Sequence, residues 1–268
     1  MSLSVRNLGS GSSGNALLVE ANGAALLVDC GIGKRQLVAG LAASGHTLAS
    51  ISAVLVTHEH GDHVRSLPDL ARAGVTTIAT AHTLRAVAQD TGEIEPIRAG
   101  TPLAASGFEI TALPVSHDAV DPCGYAISAG GRLVTVLTDL GTPDPALCEA
   151  IGASDLVVLE ANHDELMLRA GPYPAHLKRR VLSASGHLSN ADCARLLTAA
   201  LRGGPRRPTI WLAHLSQTNN RPDLAERSIR DALATAGLAL PVAAMARSGR
   251  QQAWRSAAPA PVQLRLAF

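Results

Sequence analysis

Aromatic side chains are nearly missing from this sequence, with two Trp, two Tyr and two Phe among 268 residues. Such scarcity disfavours any interface that reads bases by extended aromatic stacking. Lysine is scarcer still, being confined to Lys34 and Lys178, so Arg carries the positive charge. Neither sign of charge dominates: 23 Lys and Arg against 22 Asp and Glu leave a formal +1. No global field draws the chain to nucleic acid or to a membrane surface, and any polyanion site must be local. Cys30, Cys123, Cys148 and Cys193 form no C-x-x-C pair, which fits reduced core thiols in a cytoplasmic protein. No stretch approaches the roughly 18 uninterrupted apolar residues of a membrane span. The opening MSLSVRNLGSGSSGN lacks a basic segment followed by an apolar run, so neither secretion nor membrane association is expected. Internal repeats and long linkers are also missing, which predicts one domain over residues 1–255 and a weakly patterned tail over 256–268 carrying Pro259 and Pro261.

What is present is apolar surface and histidine. Hydrophobic residues make up 47% of the chain, enough for a sizeable core, and the 10 His outnumber all aromatics, directing attention to metal or acid-base chemistry. Strands are expected at 3–8, 16–21 and 24–29, the last two joined by Asn22-Gly23, and then at 51–57, 76–81, 108–115, 124–128, 133–138, 156–159, 210–213 and 242–245. Helical spacing follows Gly33 and recurs at 64–73, 84–89, 145–151, 175–183, 191–201 and 223–236. Ser189-Asn190-Ala191-Asp192 has the pattern of a capping box with a shortened acid. Two strand-rich halves, each finishing in helices, point to a β-sandwich covered by helices on both outer faces.

The central motif is His58-Glu59-His60-Gly61-Asp62-His63, set between a buried strand and a helix. Side chains two apart at a strand end can converge on one ion, while Asp62 and His63 on the following turn address a neighbouring position. Titratable groups directly after Val54-Leu55-Val56 are costly to bury without partners. Two metal positions are therefore implied, and His117, Asp139 and His214 each follow another expected strand, a recurrence at four strand ends that speaks against coincidence. The mixture of imidazole and carboxylate suits Zn, Mn or Fe without choosing among them.

These residues resemble the motifs of the metallo-β-lactamase superfamily. Asp29 matches its first motif, His58-x-His60-x-Asp62-His63 the second, and His117, Asp139 and His214 the third to fifth. The resemblance implies an α/β (α+β) fold, the four-layer αββα sandwich. It puts His58, His60 and His117 on one divalent ion, Asp62, His63 and His214 on a second, Asp139 between them, and Asp29 behind a ligand histidine. Asp139 stands where true β-lactamases carry Cys, which disfavours antibiotic hydrolysis.

Ser10-Gly11-Ser12-Ser13-Gly14-Asn15, Glu160-Ala161-Asn162-His163-Asp164, Tyr173-Pro174, Leu177-Lys178-Arg179-Arg180, Gly186-His187-Leu188-Ser189-Asn190 and Ala213-His214-Leu215-Ser216 resemble, in combination, the YycJ/WalJ-like group. That group is related to the phosphodiesterase branch containing ribonuclease Z. The resemblance implies a nuclease on DNA, 5′-to-3′ in polarity, with His187 acting on the leaving oxygen, Glu160 setting its charge and Asp62 accepting the water's proton. His163 and Asp164 stay open between a supporting and a loop role. Ser12, Ser13 and Asn15 on the Gly-rich loop, with Lys178 and Arg179, are the candidate phosphate contacts. The wider basic set, Lys178-Arg179-Arg180, Arg202, Arg206-Arg207 and Arg221, is near His187 and His214 in sequence and suggests a nucleic-acid track. A long Gly/Pro-rich arm like that of ribonuclease Z has no counterpart, which weakens precursor-tRNA processing. Thioester or lactone hydrolysis is the alternative that the same ligand set serves.

Overall fold

Strand segments such as ALLVEA are apolar on consecutive residues, without alternation, as strands covered on both faces must be. In the computed structural model, which describes residues 2–248 and 252–256, this is what they are. The first half runs β1 (Leu3–Gly9), β2 (Ala16–Ala21), β3 (Ala24–Val28), α1 (Lys34–Ala42), β4 (Ala53–Leu55), α2 (Gly61–Val64), α3 (Leu67–Arg72), β5 (Thr76–Ala79), α4 (Ala81–Ala86) and β6 (Ile94–Pro96). The second runs β7 (Leu103–Ala105), β8 (Phe108–Pro114), β9 (Cys123–Ala129), β10 (Arg132–Leu137), α5 (Cys148–Ala153), β11 (Leu156–Glu160), α6 (Glu165–Ala170), α7 (Ala175–Val181), α8 (Asn190–Leu201), β12 (Thr209–Ala213), α9 (Pro222–Thr235), β13 (Val242–Ala244) and β14 (Ala253–Arg255).

Two sheets result, ordered β14-β1-β2-β3-β4-β5-β6 and β13-β12-β11-β10-β9-β8-β7. In each, an antiparallel meander passes into a parallel run, from β3 to β6 and from β10 to β13. Parallel strands need crossover helices, and these cover the outer faces. Three apolar clusters follow. Leu17, Val19, Val134, Val158 and Trp211 pack between the sheets. Leu18, Leu27, Leu37 and Leu70 fill the space under α1 and α3, while Val157, Leu159, Leu197 and Ile229 fill that under α8 and α9. Neighbouring residues of one strand thus enter different clusters, the signature of the expected αββα sandwich.

Asn22 and Gly23 turn β2 into β3 with φ of 54° and 81°, the left-handed pair a tight hairpin uses. The helix expected over 64–73 is divided: α2 stops at Val64 and α3 restarts beside Pro68, whose ring lacks the N–H that a continuous helix needs. Ser66, in the break, uses its N–H on Cys30 O and its hydroxyl on Ile32 O. Ser189 caps α8 by accepting from Asp192 N, but the Asp192 carboxylate takes the Ser189 hydroxyl rather than its backbone N–H. Short edge strands β6, β7 and β14 and the six-residue α6 have no counterpart among the sequence expectations. Cys30, Cys123 and Cys193 are buried, Cys148 is half-buried, and all four thiols are free. Ser256, first residue of the expected tail, is buried and paired with Leu3; residues 257–268 lie outside the described residues. Among the described residues no helix is long and apolar enough to cross a membrane.

Tyr125 of β9 ties the two sheets together just below the histidine motif, its hydroxyl donating to Val56 O at 2.7 Å. Removing that buried bond by Tyr125→Phe should lower unfolding stability by about 1 kcal/mol in urea titrations. An unchanged midpoint would show that the bond contributes nothing.

Candidate metal centre

The parallel strands of both sheets deliver their C-terminal ends to one edge of the sandwich. Asp29 follows β3, His58 follows β4 after Thr57, Asp139 follows β10, Glu160 ends β11 and His214 follows β12. His117 arrives from β8, and α2 carries Asp62 and His63. Among the described residues five non-glycine positions have positive φ, and three of them belong to this edge: Asp29 at 59°, Asp139 at 56° and His214 at 53°. Such backbone costs about 1 kcal/mol or more per residue and persists where surrounding contacts over-determine it.

The side chains of these residues converge. Ligand atoms of His58, His60 and His117 lie within 4.8 Å of one another; so do those of Asp62, His63 and His214, and those of His58, His63 and Asp139. Asp139 therefore stands between the two outer groups. Hydrogen bonds behind the rings select which nitrogen faces inward. His117 Nδ1 donates to Gly186 O at 3.0 Å, leaving Nε2 for the centre. His63 Nδ1 meets Asp29 Oδ2 at 2.8 Å, and Asp29 also accepts from the N–H and hydroxyl of Thr57. His214 Nδ1 meets Glu160 Oε1 at 3.0 Å, and its backbone N–H donates to Ser10 Oγ at 2.9 Å.

Two atoms test whether a cation fits. His214 Nε2 and Asp139 Oδ2 are buried without any hydrogen-bond partner, although Asp139 Oδ2 is only 2.9 Å from His63 Nε2. Buried donor atoms left without partners within a cluster of ligating side chains are what a metal-binding group requires, and imidazole with carboxylate is a donor set for divalent ions. Electrostatics agree. Burial, reinforced by the neighbouring His63, pushes His58 far below its ordinary value, which keeps it neutral, as a metal ligand must be. Burial opposes charge on His63 too, yet Asp29 and Asp139 overcome it and raise that ring to about 10; His214 is raised by Asp139 in the same way. These carboxylates call for positive charge, which imidazolium protons supply and a cation would supply in their place.

Beside this cluster, His187 Nδ1 lies 2.8 Å from Glu160 Oε1 and 3.2 Å from Asp139 Oδ1. Burial disfavours its charge, but Glu160 and Asp139 prevail and raise it to about 9. Glu160 itself, despite full burial, is held down to about 2 by His187, with its Oε2 accepting from Leu140 N. One carboxylate oxygen thus serves both His187 and His214, a link that spacing alone did not reveal.

The candidate phosphate contacts differ in their surroundings. Asn15 is buried and its amide is engaged by Gly11 N, Asp62 O and His63 Nε2, whereas Ser12 and Ser13 are exposed on the same loop. Lys178 reaches back to Arg169 O, and Arg179 is exposed. The fold separates the wider basic set. Arg206 and Arg207 precede β12 while His214 follows it, so a strand of about 17 Å lies between them. Arg202 follows α8, about 18 Å from the end that His187 adjoins. Arg206 pairs with Asp155 and Arg207 caps Gly204 O, so neither joins a track at this edge. Asp164 caps α6 through Met167 N, and His163 is buried with neither ring nitrogen bonded. Sequence reading gave no supporting role to Thr57 or Ser10 and passed over Gly31. Thr57 read as the end of a strand and Ser10 as the first residue of the Gly-rich loop, and Gly31 matters because a Cβ there would sit 1.7 Å from Asp62 O.

The β-lactamase superfamily domain model matches residues 25–207 of this chain. The chain belongs to the β-lactamase superfamily. Among superfamily members it is 35% identical over 243 residues to exodeoxyribonuclease WalJ of Streptococcus pneumoniae serotype 2, covering 88% of this chain and 90% of the relative. It is 34% identical to exodeoxyribonuclease YycJ of Bacillus anthracis, covering 88% and 91%. The metallo-β-lactamase fold protein YhfI of Bacillus subtilis superposes with a TM-score of 0.73 at 20% identity, over 95% of this chain and 99% of that one.

Asp29 supports His63 and Thr57 from behind, so Asp29→Ala should weaken metal affinity about 10- to 100-fold in a competition titration against a chelator. Unchanged affinity would remove Asp29 from the account.

Proposed function

We propose that this chain is a dinuclear metal-dependent phosphodiesterase that degrades DNA as an exonuclease. The observation that carries the reading is the His187–Glu160 pair, 2.8 Å apart and next to Asp139 at the edge of the candidate metal centre. A carboxylic ester, thioester or lactone is neutral at its reacting carbonyl, whereas a phosphodiester is anionic there as well as having a poor alkoxide leaving group, so a cationic acid suits the phosphodiester best. The two relatives named exodeoxyribonucleases, aligned over most of both chains, support DNA as the substrate.

His58, His60 and His117 would hold one divalent ion, Asp62, His63 and His214 the other, with Asp139 shared; Zn and Mn suit the set best and Fe is compatible. When bound, the two ions supply charge neutralisation at the non-bridging oxygens and a lowered pKa for the attacking water. Asp62, less buried than its neighbours, accepts the proton of that water. His187 Nδ1 donates to Glu160, and Nε2 delivers its proton to the departing oxygen. Glu160 holds the ring in this orientation and in its charged form. The free thiols fit a reducing cytoplasmic setting, and the near-neutral overall charge leaves substrate attraction to residues near the centre.

With Mn or Zn, the purified protein should cleave a labelled DNA strand and bis(p-nitrophenyl) phosphate, and His187→Ala should slow DNA cleavage about 10²- to 10⁴-fold while retaining its metal. Strands labelled at either end read the polarity, expected to be 5′-to-3′. No metal-dependent cleavage of either substrate would overturn the reading, as would thioester turnover that survives His187→Ala.

A further inference from the structure

Helix α7 ends against the metal centre, and its last turn is fixed from three sides. Gly186 packs so closely on this turn that a Cβ would lie 2.3 Å from Arg180 O and from Val181 O. His187 N donates to Val181 O, and His117 Nδ1 donates to Gly186 O. Ser116 Oγ donates to Ala184 O, and Gly141 N to Ser116 O. The helix end therefore moves only with His117 and His187, two residues of the site itself.

Successive positions of a helix are about 100° apart, and three neighbouring cations on α7 have different surroundings accordingly. Lys178 turns back to α6, Arg179 is exposed, and Arg180 crosses to Asp118, the residue after His117. The Arg180 Nε–Asp118 Oδ2 distance is 2.6 Å, and Asp118 Oδ1 is 3.3 Å from His117 Nε2. The guanidinium is about half exposed, so it stands at the mouth of the centre rather than inside it. Among the described residues its terminal nitrogens have no hydrogen-bond partner. Asp139 and Asp62 also act on its charge, which places it within electrostatic reach of the cluster.

A guanidinium held through Nε by a carboxylate keeps a planar edge of terminal N–H groups, the geometry that takes two oxygens of a phosphate. We propose that Arg180, oriented by Asp118, is a phosphate-binding residue that holds the backbone of a single DNA strand at the metal centre. The proposal rests on the phosphodiesterase reading and specifies it. The cations and Arg180 together bracket one phosphodiester, with Asp118 as the positioning residue that keeps the guanidinium in place. Contact with phosphate carries no base information, which agrees with a chain whose aromatic residues are few and, for Phe108, Tyr125 and Trp211, buried in the core. It also answers how a near-neutral protein engages a polyanion, through one fixed guanidinium at the reacting position.

The test measures binding of a labelled phosphorothioate single strand to the metal-loaded protein by fluorescence anisotropy at several salt concentrations, together with metal content. Arg180→Ala should raise Kd about tenfold or more and reduce the slope of log K against log salt by about 0.7, the value for one phosphate contact on a single strand. Its metal content should equal that of the unmodified protein. Arg180→Lys should restore the slope but not the affinity, because a point charge lacks the fork. Arg202→Ala removes the same charge at the far end of α8 and should change neither quantity. The proposal is overturned if Arg180→Ala binds with unchanged Kd and slope, if Arg202→Ala weakens binding equally, or if Arg180→Ala loses metal, which would make the residue part of the scaffold. The unmodified protein reads the underlying function separately: if it neither binds nor cleaves DNA, the phosphodiesterase reading falls and the proposal with it.

Discussion

Three carboxylates, Asp29, Asp139 and Glu160, are buried at one edge of the sandwich with side-chain exposures of 3%, 2% and 0%. Burying a carboxylate without compensation is prohibitive, and removing one partner of such a pair costs about 3 to 5 kcal/mol. The architecture around this edge can be understood as the means of satisfying that demand. Rings of His63, His187 and His214 meet the carboxylates directly, Thr57 and Leu140 donate to them, and the remaining lone pairs converge without partners on positions where a cation fits.

Meeting the demand requires that strand ends from two sheets arrive at one place. The parallel halves accomplish this, since each crossover helix returns the chain so that the next strand ends at the same edge. The turn from strand to loop is tight enough that Asp29, Asp139 and His214 adopt left-handed backbone, and Gly31 leaves the space that Asp62 O occupies. Local strain is offset by a sandwich whose strands are buried on both faces, so the site is held by the most deeply packed part of the fold. Glu160 has the widest role: one of its oxygens fixes His214 and His187 together, coupling the orientation of a candidate ligand to that of the candidate acid.

The long elements were legible in the sequence because their periodicity is local. Strand β2 is found at the expected residues, and β8, β10 and β12 differ by a residue or so at their ends. Strands β6, β7 and β14 were not legible, as three-residue edges are defined by the neighbour they pair with and carry no pattern of their own. The cluster could be inferred from His58-x-His60-x-Asp62-His63 and from polar residues at strand ends. The support behind it was harder to read, because Thr57, Ser10 and Asp118 acquire their roles only through contacts distant in sequence. The basic last third shows the limit most clearly: Arg180 and Arg206 belong to one basic stretch of sequence, yet one pairs with Asp118 beside His117 and the other with Asp155 at the opposite end of the sheet.

The central claim is that the converging lone pairs form two cation positions sharing Asp139. Elemental analysis of the purified protein tests it most directly. About two divalent ions per chain are expected, with a loss of at least one of them in Asp139→Asn. A chain that binds none or one, or an Asp139→Asn variant that keeps both, would contradict it.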